Sequence, residues 1–313
     1  MEKGNKKNKP KVIALLGPTA SGKTKIGVRL AYKFNGEIVS ADSRQVYKGM
    51  DIGTGKDLPD YKYKEKHIPY HLIDVASPRS NFNLARYQKL ALKAIDDILN
   101  RGKLPIIVGG TGLYIQALIE NFKLSDFKSN RKLRENLEKL GAKKLYERLI
   151  KANADFAGRI NHSDMNNARR LSRYVELIEQ GEYLLDRKGK SNYNFLVLGM
   201  KVDNKKMREK IVSRLHKRID EEGMTNEVET LRHDGISYKR LISFGLEYKF
   251  VSYLLQGKIN QDEMREKLAT AIYRFAKKQK SWFKRFEKQG QKINWIENYQ
   301  EGISLVSHFL KKK

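Results

Sequence analysis

The sequence predicts an α/β protein, a parallel sheet core interrupted by a helical insertion. Two observations lead there. Up to about residue 122, short apolar runs alternate with stretches of helical spacing; the chain then turns polar and helix-prone until one more apolar run appears near residue 195. Strands that alternate with helices imply a parallel sheet with right-handed crossovers, and a purely helical interruption implies an insert.

The elements follow in order. VIALL (12–16) is a short apolar run closed by Gly17 and Pro18, the signature of a buried strand. A helical pattern runs from Thr24 to Phe34, and EIVSA (37–41), HLIDV (71–75) and LPIIVGG (104–110) are three more candidate strands. Between the last two, Leu84, Tyr87, Leu90, Ala94 and Ile98 recur at helical spacing within 83–101. FLVLGMKV (195–202) predicts a further strand, 204–288 is mostly helical, and INWI (293–296) is a last strand candidate before a final helix. The expected division is 1–122 as the first part of the core, 123–193 as the helical insert, and 194–313 as the second, mostly helical part.

GPTASGKT at 17–24 satisfies the pattern G-x-x-x-x-G-K-S/T and stands between a strand and a helix, where a phosphate loop must stand. The core is therefore expected to be P-loop NTPase-like. Glycines let backbone N–H groups close around phosphate oxygens, and the helix N-terminus adds favourable partial charge. Lys23 would neutralise a terminal phosphate and the Thr24 hydroxyl would hold Mg²⁺. The motif says phosphate without saying which compound carries it, and a small-molecule or nucleoside kinase is the first guess for such a loop.

Composition narrows the partners. Lys and Arg number 64 against 36 Asp and Glu, a net charge of +28, which suggests a polyanionic partner such as nucleic acid. Cysteine is absent, which excludes disulfides, zinc–thiolate sites and cysteine nucleophiles. No apolar run approaches the ~20 residues that span a bilayer. The opening MEKGNKKNKPK is basic without a following signal-type stretch, so a cytoplasmic protein, with no membrane partner, is expected.

After the second strand comes ADSRQVYKGMDIGTGK (41–56). Asp42 falls at the C-terminal end of a strand beside the phosphate loop, where open α/β sheets bind ligands. A carboxylate there could take a proton from a nucleophile, ligate Mg²⁺ through water, or simply cap a turn.

GPTASGKT, DSRQVYKGMDIGTGK, HLIDV and VGGTGLY (108–114), in that order, resemble the signatures of the tRNA dimethylallyltransferase (tRNA isopentenyltransferase) family. The match is close from about residue 11 to 122 and looser through ARRLSRYVELIEQG (168–181) and RFAKKQKSWF (274–283). The resemblance implies transfer of the dimethylallyl group of dimethylallyl diphosphate to N6 of the adenine 3′ to the anticodon, position 37 of tRNA, with release of diphosphate. It implies that Gly17, Pro18, Thr19, Ala20, Ser21, Gly22, Lys23 and Thr24 form the diphosphate loop. Asp42 matches the family's general base, Thr111 a position lying against tRNA and Arg214 an arginine that stabilises the leaving diphosphate; Asp42, Ser43, Arg44 and Gln45 are expected to touch tRNA. The chain departs from the family in FGLEY (244–248), where a glycine-tyrosine-lysine-type motif is usual, and in a turn after Arg218 about two residues short.

For the RNA side, Ala168, Arg169, Arg170, Leu171, Ser172 and Arg173 lie in a stretch that the resemblance places against the anticodon stem-loop, with Arg169 and Arg173 on one helical face. In 268–288, Leu268, Ile272, Phe275, Gln279, Trp282 and Phe286 form a core-facing stripe broken only by Gln279, while Arg274, Lys277 and Lys278 on other faces are expected to meet phosphates. A monomer is expected. The rivals are the kinase, a nucleic-acid-binding ATPase for which Asp74 is the tempting acid, and a related transferase that accepts adenosine monophosphate.

Overall fold

A computed structural model describes residues 9–124, 130–181 and 188–312, the side chain of Arg131 excepted. The chain divides into two units, Met1–Ile119 with Ser191–Lys313 and, inserted between these stretches, Glu120–Lys190.

The larger unit is built on six strands: β1 (Lys11–Leu16), β2 (Gly36–Ser40), β5 (Tyr70–His71), β6 (Leu104–Gly109), β7 (Asn194–Met200) and β8 (Asn294–Ile296). Their order is β5-β2-β6-β1-β7-β8 and every pairing is parallel. Central β1 pairs on both sides, Ile13 standing level with Ile106 and Leu196. Its run is apolar throughout because both faces are covered. Ile13 and Leu15 enter one core layer, with Val28 and Leu30 of α1 (Lys23–Lys33) and Val306 of α14 (Tyr299–Lys311). Val12, Ala14 and Leu16 enter the opposite layer, with α2 (Leu84–Asn100) and α3 (Gly112–Ile119). A small antiparallel hairpin, β3 (Lys62–Tyr63) and β4 (Lys66–His67), lies outside this sheet.

One predicted strand is cut short. Of HLIDV only His71 belongs to β5, because Leu72 (φ 64°) and Asp74 (φ 57°) take the left-handed conformation and turn the backbone out of the sheet.

Beyond β7 the chain forms α9 (Asn204–Asp220), α10 (Met224–His233), α11 (Tyr238–Phe244), α12 (Leu246–Leu255) and α13 (Gln261–Lys288). These close a third apolar layer around Met207, Ile211, Leu231, Phe244, Val251 and Leu268. Helix α13 begins with a full capping box, Asn260 and Glu263 each accepting the other's backbone N–H. Its buried stripe is Leu268, Ile272, Ala276, Gln279, Phe283 and Phe286. The expected stripe is thus corrected at two places: Phe275 is 40% exposed, and Trp282 is only partly buried.

The inserted unit contains α4 (Arg131–Glu138), α5 (Gly141–Ala152), α6 (Ala154–Arg159), α7 (His162–Met165) and α8 (Ala168–Glu179), packed around Leu145, Leu149, Leu171 and Val175. It has no strand among the described residues. No described helix is long and apolar enough to cross a membrane.

Candidate active site

The loops after β1 and β2 and the C-terminal end of β6 open at the edge of the sheet onto a cleft of about 1710 Å³, where ligands of open parallel sheets bind. The loop after β1 is the glycine-rich one. Gly17 must be glycine because a Cβ there would stand 2.7 Å from Ser21 Oγ and 2.9 Å from Met200 Cβ. Ala20 (φ 59°) and Gly22 (φ 80°) take left-handed conformations, and the Ser21 N–H closes the turn on the Pro18 carbonyl at 3.3 Å. Gly22 caps α1 without any side-chain cap. The N–H groups of the first helical turn, which have no intrahelical acceptor, are thereby left for a ligand. Ser21 Oγ is buried and has no hydrogen-bond partner among the described residues. Lys23 Nζ reaches the Pro18 carbonyl at 3.3 Å. Burial pushes the Lys23 ammonium down to about 8; Asp42 and Asp57 oppose that and Arg214 adds to it.

Asp42 follows β2. Its Oδ1 accepts the N–H groups of Arg44 at 2.8 Å and Gln45 at 3.4 Å, so this oxygen caps the 42–45 turn. Its Oδ2 makes no hydrogen bond among the described residues. Gln45 ties the turn to the next segment, accepting from Ser40 Oγ at 3.1 Å and donating to the Gly55 carbonyl at 2.9 Å. Thr111, after β6, donates its N–H to the Ala41 carbonyl at 3.1 Å and accepts the Ser43 N–H on its hydroxyl at 3.0 Å. Thr111 does not line the cleft; it fastens the turn that does.

The DIGTGK segment is held from below and above. Lys56, 1% exposed, donates to Asp51 and Asp74 at 2.5 Å each and to the Tyr47 carbonyl at 2.8 Å. Asp74 is therefore a partner of a buried lysine, which removes the acid the ATPase rival needed. Glu227 accepts the N–H groups of Asp51, Ile52 and Gly53 at 2.6–3.1 Å and the Tyr248 hydroxyl at 2.7 Å. Gly55 takes a left-handed φ of 63° that favours glycine, and its Cα lies beneath the guanidinium groups of Arg218 and Arg214, which a Cβ would push aside. Arg214 donates to Asp57 at 2.5 Å, and Arg218 lies 3.7 Å from both Asp57 and Glu247. Burial raises the Glu247 carboxyl and the arginines oppose it.

Thr19 to Thr24, Asp42 to Gln45, Arg214, Arg274 and Lys278 all line this one cleft. Gly17, Pro18, Thr111 and Lys277 do not; Lys277 is exposed with its ammonium 5.1 Å from the Tyr273 ring centre. In the inserted unit, Leu171 and Ser172 are fully buried, so their side chains are corrected from surface contacts to core residues. Arg170 is paired with Asp164 and Arg173 with Glu176 at 2.6 Å, while exposed Arg169 has no ion-pair partner among the described residues.

Sequence reasoning missed Asp57, Arg218, Glu227 and Glu247. Arg218 had a signal, four residues beyond Arg214 on one helix and so on one face. Glu247 had another, standing in the FGLEY departure. Glu227 had none, because its partners are backbone groups far along the chain.

The residues suit Mg²⁺ in one manner only. Among the described residues no group of three or more His, Cys, Asp or Glu could hold a metal ion. A bound Mg²⁺ would thus take few protein ligands and complete its shell with water and diphosphate oxygens, as this ion prefers. Thr24 and Asp42 both line the cleft and are the residues that could offer it an oxygen.

A family model described as IPP transferase matches residues 45–286. The chain is 40% identical over 308 residues to tRNA dimethylallyltransferase 2 of Citrifermentans bemidjiense, covering 97% of this chain and 96% of the relative. It is 43% identical over 289 residues to tRNA dimethylallyltransferase 1 of Parabacteroides distasonis, covering 91% and 92%. Among solved structures, the tRNA isopentenylpyrophosphate transferase of Bacillus halodurans superposes with a TM-score of 0.68 at 33% identity, 96% of each chain being covered. A eukaryotic dimethylallyltransferase acting on tRNA gives a TM-score of 0.73 at 25% identity, covering 96% of this chain and 77% of that one.

Proposed function

The chain belongs to the IPP transferase family, and from that premise we propose that it moves a dimethylallyl group from dimethylallyl diphosphate to N6 of the adenine 3′ to the anticodon of tRNA. The observation that carries this is the convergence of the phosphate loop, Asp42 and Arg214 on a single cleft. One wall is built to hold an anion, and the facing turn offers a carboxylate oxygen that its own backbone does not use.

In this reading the first turn of α1, Lys23 and the Ser21 hydroxyl hold the diphosphate. The N6 lone pair forms a bond to the allylic carbon as the carbon–oxygen bond to diphosphate breaks. The N6 proton passes to Asp42 Oδ2, and the departing negative charge meets Lys23 and Arg214. Mg²⁺, when bound at Thr24, would neutralise part of the diphosphate charge. The adenine must leave the base stack to present its amine, and the cleft is large enough to receive it. Arg274 and Lys278 on the cleft rim, with Lys277 and Arg169 elsewhere, are the phosphate contacts. Asp42 would serve a kinase as well as a prenyltransferase, but the kinase alternative leaves the +28 charge without a use. The enzyme is proposed to act as a cytoplasmic monomer.

The test is incubation with labelled dimethylallyl diphosphate, Mg²⁺ and either unmodified tRNA, adenosine monophosphate or ATP alone. Label is expected in tRNA. Label only in the mononucleotide, or ATP turnover without prenyl transfer, would reject the reading.

A further inference from the structure

The one polar residue in the buried stripe of α13 is Gln279, 7% exposed. A buried amide is costly unless both of its ends are bonded, and here both are. Its Oε1 accepts the Thr19 N–H at 2.8 Å, and its Nε2 donates to the Gly110 carbonyl at 2.9 Å. One side chain therefore spans two glycine-rich turns that are far apart in sequence. Gly110 leaves space for this contact: a Cβ there would stand 2.3 Å from Gln279 Nε2 and displace the amide.

The two turns have separate duties in the proposed reaction. Thr19 opens the loop that faces the donor, in which Ala20 holds a left-handed φ of 59°. A non-glycine residue keeps that conformation only where its surroundings fix it from outside, and the bond to Gln279 is next to it in the chain. Gly110 precedes Thr111, whose hydroxyl fixes Ser43 beside Asp42 on the acceptor side. Direct backbone contact between the turns is long, Gly17 N–H to the Gly109 carbonyl at 3.4 Å. The Gln279 bridge is the shorter tie.

We propose that Gln279 is a positioning residue for prenyl transfer: by clipping Thr19 to Gly110 it sets the distance between the diphosphate loop and the turn that bears Asp42. The proposal rests on the functional reading above. Gln279 touches neither substrate in this scheme. It acts through the Thr19 backbone, so its loss should loosen donor placement and leave the basic surface that receives RNA as it was. A purely structural glutamine would weaken folding and both substrates together.

The experiment compares the full-length wild type with Gln279→Leu, which fills the space without either bond, and Gln279→Glu, which keeps the acceptor for Thr19 but presents an oxygen to the Gly110 carbonyl. Dimethylallyl diphosphate is varied at saturating tRNA, then tRNA at saturating donor, with thermal unfolding recorded for each protein. In both variants kcat/KM for the donor is expected to fall by roughly tenfold or more, while KM for tRNA changes by less than about twofold. Should Gln279→Leu not fold, Gln279→Glu carries the test. An unchanged donor kcat/KM in a folded variant, or equal losses for both substrates, would overturn the clip. A wild type that labels no tRNA would instead overturn the functional reading beneath it, so the two failures are told apart by the control.

Discussion

At the scale of single residues, Asp42 divides its two oxygens between structure and chemistry. Oδ1 organises its own turn through Arg44 and Gln45, and Oδ2 is left to face the cleft. Asparagine keeps an oxygen for the turn but gives up the negative charge and the ability to take a proton, whereas alanine loses the turn's cap as well. Asp42→Asn is therefore expected to bind tRNA as the wild type does and to turn over about 10²-fold more slowly or worse. Asp42→Ala should fall at least as far and also weaken tRNA binding, because the turn carrying Ser43 and Arg44 loses its cap. Steady-state kinetics with a separate tRNA-binding measurement would check this. Near-normal turnover in Asp42→Asn would remove the assigned base.

At the scale of elements, the site depends on how closely α13 approaches the turn after β6. Gly112 opens α3, and alanine in a helical position ordinarily gains about 1 kcal/mol over glycine. Here the added Cβ would stand 2.2 Å from Trp282 Cδ1 and 2.6 Å from its Nε1. Overpacking of that kind costs about 1–3 kcal/mol, so the steric term outweighs the propensity. Gly112→Ala is expected to lower the midpoint of thermal unfolding by several degrees, and a rise would contradict the packing described. Contacts of this type explain what the sequence did and did not reveal. Strands β1, β6 and β7 were legible because a strand buried on both faces needs a nearly unbroken apolar run, whereas β2 showed itself only in Ile38 and Val39, between buried Glu37 and Ser40. The stripe of α13 was legible only as a stripe: 268, 272, 275, 279, 282, 286 and 268, 272, 276, 279, 283, 286 are both helical repeats. Hydrophobicity favoured the one with Phe275 and Trp282, while the fold buries Ala276 and Phe283. HLIDV looked like a strand because composition does not disclose left-handed residues such as Leu72. The phosphate loop and Asp42 could be placed from motif and strand order, whereas the ties made by Glu227 and Gln279 join segments too distant for any spacing to show.

At the scale of the whole molecule, the charge of +28 has to be weighed against the small number of residues that do chemistry. The cleft lining includes Lys210, Lys249, Arg274 and Lys278, together with Lys217 and Lys267, which are paired with Glu222 and Glu263. Each lysine or arginine that neutralises an RNA phosphate releases condensed counterions, so affinity for tRNA should depend steeply on salt, while a compact donor held by a few buried groups should respond weakly. A log–log plot of tRNA binding against salt is expected to have a slope of about −3 or steeper. Lys278→Ala should make that slope shallower by about one, since one phosphate contact is lost. Arg169→Ala, at an exposed position of the inserted unit, should do the same. Filter binding or fluorescence anisotropy from about 50 to 200 mM monovalent salt spans the useful range. A slope near zero would mean that the basic surplus is not an RNA-binding surface, and the case for tRNA as acceptor would then lose its electrostatic support while the phosphate loop kept its own.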